Sequence, residues 1–187
     1  MGLITSPRQK HGAKIVIPLR TNRLMRVITL RPTKKLARQL AISVPRLSPA
    51  VPSRVTDWCT HTFLRGDEPW LIFCNTASLY PVFASAAAVT DGEALARRLC
   101  GMVIGVLKTN GFSTQAKIFE RELTDFQFAP IPDRAVLSSI SELIWLSDSW
   151  FNDVDLTPAT LSRQLGVTPM SALGMNSPER ALASLHV

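Results

Sequence analysis

The sequence predicts an α+β domain, in which a small mixed or antiparallel sheet of about four strands packs against two main helices. Two stretches in the second half of the chain carry apolar residues at helical spacing, and two short strand-like runs before them are joined by a turn. Of the 187 residues, 46% are hydrophobic, which is enough to bury a sizeable core. These features together indicate one compact unit.

A strand-like run at residues 26–30 opens the predicted domain, and a short helix follows it. Pro32 suits the first position of that helix, and Thr33 is placed to cap it. The helical period gives the short helix one apolar face. The side chains expected to point away from that face are Lys34, Lys35 and Arg38.

A proline-rich segment, residues 43–53, is expected to form an extended loop before a β-hairpin. The hairpin strands are predicted at residues 58–64 and 70–75, with a longer turn at 65–69 between them. A further strand is expected at residues 79–84. Because its Pro81 cannot donate to a ladder of hydrogen bonds, this strand should lie at a sheet edge or contain a bulge.

The second half of the chain supplies the two main helices. Apolar residues recur at helical spacing over residues 91–110, and Gly111 suits the cap at the end of that helix. Asp133 is placed to cap a second strong helix that continues to Trp150, with Leu137 in its core-facing stripe. Shorter helices are predicted at 114–123 and 157–165, and a short strand at 126–128.

The charge of the chain is unevenly distributed. The net charge is +7, but residues 1–56 hold 12 of the 21 basic side chains and none of the 14 acidic ones. Residues 1–24 are interpreted as a basic tail without an apolar period, and Met25 is an alternative start that would leave a net charge of +2. We therefore expect a single domain over residues 25–187.

The compartment is predicted to be the cytoplasm. The longest apolar run has nine residues, well short of the roughly 20 that a membrane-spanning helix needs, so no membrane partner is expected. Three cysteines form a sparse, odd set that fits reduced thiols better than a disulfide framework.

The strongest candidate for phosphate or nucleic-acid contact is the basic cluster of the first helix. Lys34, Lys35 and Arg38 remain if the tail is removed, and Arg26 and Arg31 could supplement them. A solvated helix face is the simpler interpretation of the same charges.

A second candidate site, for an unspecified ligand, lies on the hairpin. Trp58, His61, Arg65 and Asn75 combine aromatic, cationic and amide groups, as the walls of binding pockets do. The alternative is that the tryptophan belongs to the core and the arginine to the turn.

Catalytic and metal chemistry find weaker support. Cys59 and His61 would share one strand face, with Cys74 on the neighbouring strand, but a structural zinc site needs four ligands. The glycine-rich patterns that hold nucleotides are also missing from the sequence. We therefore predict no metal and no cofactor, and we assign no catalytic residue.

The chain resembles, over about residues 26–185, a bacterial family of domains of unknown function that is numbered 6933. Cys59 stands after Trp58 where that family commonly has a histidine. The resemblance favours a start near Met25 and implies no particular activity. The stretches that carry it are Thr33 to Leu36, Trp58 with Phe63, residues 71–75 with Leu79 and Tyr80, Asp133 and Arg134 with Val136 and Leu137, and residues 169–173.

The leading functional hypothesis is a small non-enzymatic binding or interaction module, whose partner is unknown and could be a protein. The alternative is a nucleic-acid-associated protein that uses the basic N-terminal region. An unrecognised enzyme is the third hypothesis.

Overall fold

In the described part of the chain, five strands form one mixed sheet. The structure is a computed structural model that describes residues 27–46, 54–121, 125–150 and 156–185; the predicted tail at 1–24 and most of the proline-rich segment lie outside these residues. The strands are β1 (Ile28–Pro32), β2 (Asp57–Arg65), β3 (Glu68–Asn75), β4 (Pro81–Ser85) and β5 (Phe126–Phe128).

The order of the strands in the sheet is β4-β3-β2-β1-β5. β1 lies in the middle of the parallel part and pairs in parallel with both β2 and β5, whereas β2, β3 and β4 pair antiparallel. The prediction of a mixed or an antiparallel sheet is confirmed in its mixed form, with five strands instead of about four. β4 is an edge strand, which confirms the position that its proline predicts.

Helices cover the sheet, and their caps follow the sequence closely. Asp133 accepts a hydrogen bond from the backbone N–H of Ala135, which confirms the cap predicted there. Asp91 accepts one from the backbone N–H of Ala94 in the same way. The helices are α1 (Lys34–Gln39), α2 (Gly92–Thr109), α3 (Ser113–Arg121), α4 (Arg134–Asp148), α5 (Pro158–Gly166) and α6 (Pro178–Ala183), with a 3-10 turn at Ser171–Leu173.

The sheet buries both of its faces. Successive side chains of a strand point to opposite sides, so neighbouring residues belong to different cores. Trp58 of β2 belongs to the core that α1, α2, α3 and α6 cover. The next residue, Cys59, belongs to a second core, which α4 and α5 cover. Helices therefore form a layer on each side of the sheet, where the sequence suggested two main helices.

The hairpin turn is tighter than predicted. Arg65 pairs with Glu68 at the ends of β2 and β3, so only Gly66 and Asp67 separate the strands. Gly66 has φ of +56°, a left-handed conformation that a two-residue turn requires and glycine adopts easily. Within the described ranges, no helix is both long and apolar enough to cross a membrane.

Candidate functional site

A crevice opens where the chain leaves β1 and β5 towards opposite faces of the sheet. These strands are parallel neighbours, so their carboxyl ends lie side by side. After β1 the chain enters α1, which packs in the first core, whereas after β5 it enters α4, which packs in the second. Ligands of open α/β sheets commonly bind at such a switch point, outside the carboxyl ends of the strands.

The crevice is a groove with a volume of about 860 Å³. One wall is formed by the end of β1, by α1 and by residues 42–46; the other is formed by residues 130–134 together with Leu137 of α4. We call this site the basic groove. Its volume falls within the range of sites that hold small molecules, roughly 300–1,000 Å³.

Positive charge dominates the lining of the basic groove. Among the described lining residues Asp133 is the only carboxylate, and its side chain already accepts the hydrogen bond that caps α4. The ion pairs between described residues involve other side chains, so the groove cations have no carboxylate partner there. The cations that line the groove are Lys34, Lys35, Arg38, Arg46 and Arg134.

The cations of α1 are arranged at a cost to stability. Lys34 and Arg38 are four residues apart and therefore neighbours on the helix surface, and α1 has no acidic residue in its first turn. Like charges at this spacing destabilise a helix by roughly 0.2–0.5 kcal/mol. An anion in the groove would remove this repulsion and add attraction to both side chains.

A buried ion pair fixes the second wall of the basic groove. Arg31 of β1 donates from Nε and Nη2 to the two carboxylate oxygens of Asp57 at 2.7 and 2.8 Å. Its Nη1 donates to the carbonyl of Pro130 at 2.6 Å, and Thr76 donates to the same carboxylate at 2.7 Å. Because Arg31 is only 1% exposed, it cannot supplement a phosphate site, and this part of the sequence prediction is wrong. Arg26, the other supplementary residue, lies outside the described residues.

His61 lies beside the groove without lining it. Its Nδ1 is 3.1 Å from the hydroxyl of Thr33, which also accepts the capping hydrogen bond from Leu36 of α1. Partial burial and then the nearby ammonium of Lys35 lower the pKa of His61 below its ordinary value. The imidazole is therefore neutral around pH 7.

The four hairpin residues do not lie together. Trp58 and Asn75 are directly opposite each other on β2 and β3 and are fully buried, whereas His61 is on the other face. Arg65 shares the face of His61 but ends β2, opposite Glu68. The sheet thus divides the four residues between its two sides.

Trp58 and Asn75 have structural partners. The indole N–H of Trp58 donates to the carbonyl of Val55 at 2.6 Å, and the Asn75 amide donates to the same carbonyl at 3.3 Å. The Asn75 side-chain oxygen accepts from the backbone N–H of Ser78 at 2.9 Å. These bonds join the segment before β2 to the turn after β3, so both side chains organise the backbone.

Cys59 and Cys74 are opposite each other in the second core, and both are fully buried. Burial raises the pKa of Cys59 to about 12 and the pKa of Cys74 well above its ordinary value. Both therefore remain protonated thiols, whereas metal binding and nucleophilic attack require the thiolate. In the described part of the chain, no three His, Cys, Asp or Glu side chains are grouped closely enough to hold a metal.

Sequence reasoning identified three of the groove cations and missed the other two. Arg46 follows the first helix in the proline-rich segment, and Arg134 follows a helix cap, so neither position suggests a site by itself. What unites them is the parallel pairing of β1 and β5, which are separated by almost a hundred residues.

Both walls lie inside residues 29–181, which match the family described as "Domain of unknown function (DUF6933)". Neither curated proteins nor solved structures gave a match.

Proposed function

Because the chain belongs to the family described as "Domain of unknown function (DUF6933)", which specifies no chemistry, we propose a function from the basic groove. The protein is a non-enzymatic module that binds a small anionic molecule there. The observation that carries the proposal is the convergence of five cations without a described carboxylate partner on one cavity. Side chains of like charge repel each other unless an anion joins them.

The composition of the groove supports binding. Three of the five cations are arginines, whose planar guanidinium groups bind carboxylate and phosphate in a bidentate manner. Asp133, the one carboxylate among the described lining residues, is engaged in capping α4, which leaves mainly cations and apolar side chains to contact a ligand.

The rigidity of the groove also supports a preformed site. The ion pair of Arg31 and Asp57 and the hydrogen bond to Pro130 hold the second wall against β1. Thr33 fixes the start of α1 on the first wall through its capping hydrogen bond. A preformed site loses less conformational entropy on binding.

The test compares anion binding by two variants that lose the same charge. Lys34→Ala/Arg38→Ala removes two groove cations, whereas Lys117→Ala/Arg163→Ala removes two exposed cations of α3 and α5 outside the groove. Calorimetric titration with orthophosphate, citrate and ATP at low salt should show saturable binding by the native protein and by the control. The groove variant should bind each anion about tenfold more weakly or not at all.

Two outcomes would contradict the proposal. If none of the three anions binds the native protein, the groove is not an anion site. If the groove variant and the control lose affinity equally, the attraction comes from net charge alone and not from this cavity.

A nucleic-acid-associated function is the second candidate, favoured by the 12 basic residues and the lack of acids in residues 1–56. Phosphate contacts would make such binding weaken steeply with salt. In gel-shift titrations at two salt concentrations, a form that starts at Met25 should lose most of any affinity for DNA or RNA, because its net charge is only +2. Sequence-selective, salt-resistant binding by that shorter form would instead favour nucleic acid over a small anion.

A further inference from the structure

We infer that the ligand of the basic groove is a nucleoside triphosphate or a close relative, that is, a chain of phosphates that carries a planar organic group. The inference rests on the proposed anion site and names its ligand class. Three properties of the groove lead to it: its net charge, the position of its cations on both walls, and its apolar lining.

The charge of the groove fits a chain of phosphates better than a single anion. The five cations and the one carboxylate of the described lining give it a net charge of +4. A single phosphate monoester carries a charge of about −1.5 to −2, whereas a terminal phosphate with two bridging ones carries about −4. A single phosphate would therefore leave about half of the lining charge without compensation.

The cations also lie on opposite walls. Lys34, Lys35 and Arg38 belong to α1 and its wall, whereas Arg134 is the first residue of α4 on the other wall. A groove of about 860 Å³ with cations on both walls has room for a ligand whose anionic groups are distributed along its length.

Most of the remaining lining is apolar, and a purely inorganic anion would leave these side chains uncovered. They include Ile42 and Val44 on one wall, and Ile131 and Leu137 on the other. Leu137 is 37% exposed, although the helical pattern places it in the core-facing stripe of α4. Because planar and apolar groups fill such surfaces favourably, an organic group joined to the phosphate chain would cover these side chains.

Phosphate recognition here would depend on side chains, unlike recognition by the glycine-rich loops that surround phosphates with backbone N–H groups. Long cationic side chains at the surface are screened by salt. We therefore expect the affinity of the groove for a phosphate chain to fall steeply as the ionic strength rises.

Calorimetric titrations with ATP, tripolyphosphate, orthophosphate and citrate, in the presence of EDTA, test the inference. Tripolyphosphate should bind about tenfold or more tightly than orthophosphate and citrate, and ATP several-fold more tightly than tripolyphosphate. Leu137→Ser, a change at an exposed position, should reduce the affinity for ATP to that for tripolyphosphate without affecting tripolyphosphate itself. Arg134→Ala should weaken the binding of both.

The outcomes separate this inference from the anion site. If citrate and orthophosphate bind as tightly as tripolyphosphate, the anion site stands and the inference of a phosphate chain is overturned. Equal affinities for ATP and tripolyphosphate, unchanged by Leu137→Ser, would overturn the organic group. Failure of every anion to bind would contradict the proposed function itself.

Discussion

Replacement of Asp57 by asparagine should unfold the protein at a much lower temperature. The carboxylate is buried and accepts two hydrogen bonds from the Arg31 guanidinium, at 2.7 and 2.8 Å, and one from the Thr76 hydroxyl. An asparagine has nearly the same shape, but its NH2 group would oppose one of the guanidinium donors. The variant would thus retain a buried cation without its counter-charge.

The expected loss of stability follows from that unpaired charge. Breaking a buried ion pair from one side costs about 3–5 kcal/mol, a large fraction of the roughly 5–15 kcal/mol that stabilises a domain. In a domain of this size each kcal/mol corresponds to about 2–4 °C, so the melting temperature should fall by about 6–20 °C. Once Arg31 is no longer held by Asp57, its hydrogen bond to the Pro130 carbonyl should also weaken. The second wall of the basic groove would then be held less firmly, and anion binding should weaken.

A double-mutant cycle with Arg31→Met distinguishes the ion pair from other contacts of either residue. Urea unfolding of the native protein, of each single variant and of Arg31→Met/Asp57→Asn gives the four free energies. The double variant should be more stable than the sum of the two single losses predicts, because it contains no unpaired buried charge. A loss below about 1 kcal/mol for Asp57→Asn, or strict additivity, would refute the reasoning.

Two further predictions follow from local packing and from titration. Gly166→Ala should lower the melting temperature, because the new methyl group would lie 2.8 Å from the buried ring of Tyr80. Such overpacking costs about 1–3 kcal/mol. Gly101→Ala, at an open helical position, should instead raise the free energy of unfolding by roughly 0.5–1 kcal/mol. If both variants change stability in the same direction, the close contact is not limiting. Burial and then Lys35 lower the pKa of His61 in the folded state. As the pH falls, the unfolded chain therefore binds a proton at this imidazole before the folded protein does. The free energy of unfolding should decrease as the pH falls below about 6.5. His61→Gln should remove that part of the pH dependence in urea titrations at pH 7.5 and 5.5, and an NMR titration that gives His61 a pKa above its ordinary value would contradict the argument.

The elements of this fold could be predicted wherever the local pattern and the tertiary environment agree. The helix predicted at 91–110 is α2, because the apolar stripe extends over that range and Gly111, which has φ of +88°, ends the helix as expected. The edge position of β4 was also predictable, since proline cannot donate to a second neighbour. These features depend on the local chain alone.

The candidate site was predictable only in part. Lys34, Lys35 and Arg38 were identified from charge, but the same reasoning joined Arg31 to them, because a sequence does not reveal that this side chain meets Asp57 in the interior. Leu137 fits the core-facing period of α4, yet the start of that helix extends beyond the second core and leaves the side chain 37% exposed. Charge and hydrophobic period describe the side chain itself. They do not show which residues it contacts in the folded protein.

By itself the sequence determined the α+β class, most of the helices and strands, and a basic first helix, because propensity, capping and hydrophobic period act over a few residues. Only the tertiary structure decided that β1 lies between β2 and β5 and that their connections leave for opposite faces. The parallel pairing of β1 with β5 depends on hydrogen bonds and packing between segments almost a hundred residues apart. The basic groove exists because of that pairing, since its two walls come from distant parts of the chain that no local pattern connects.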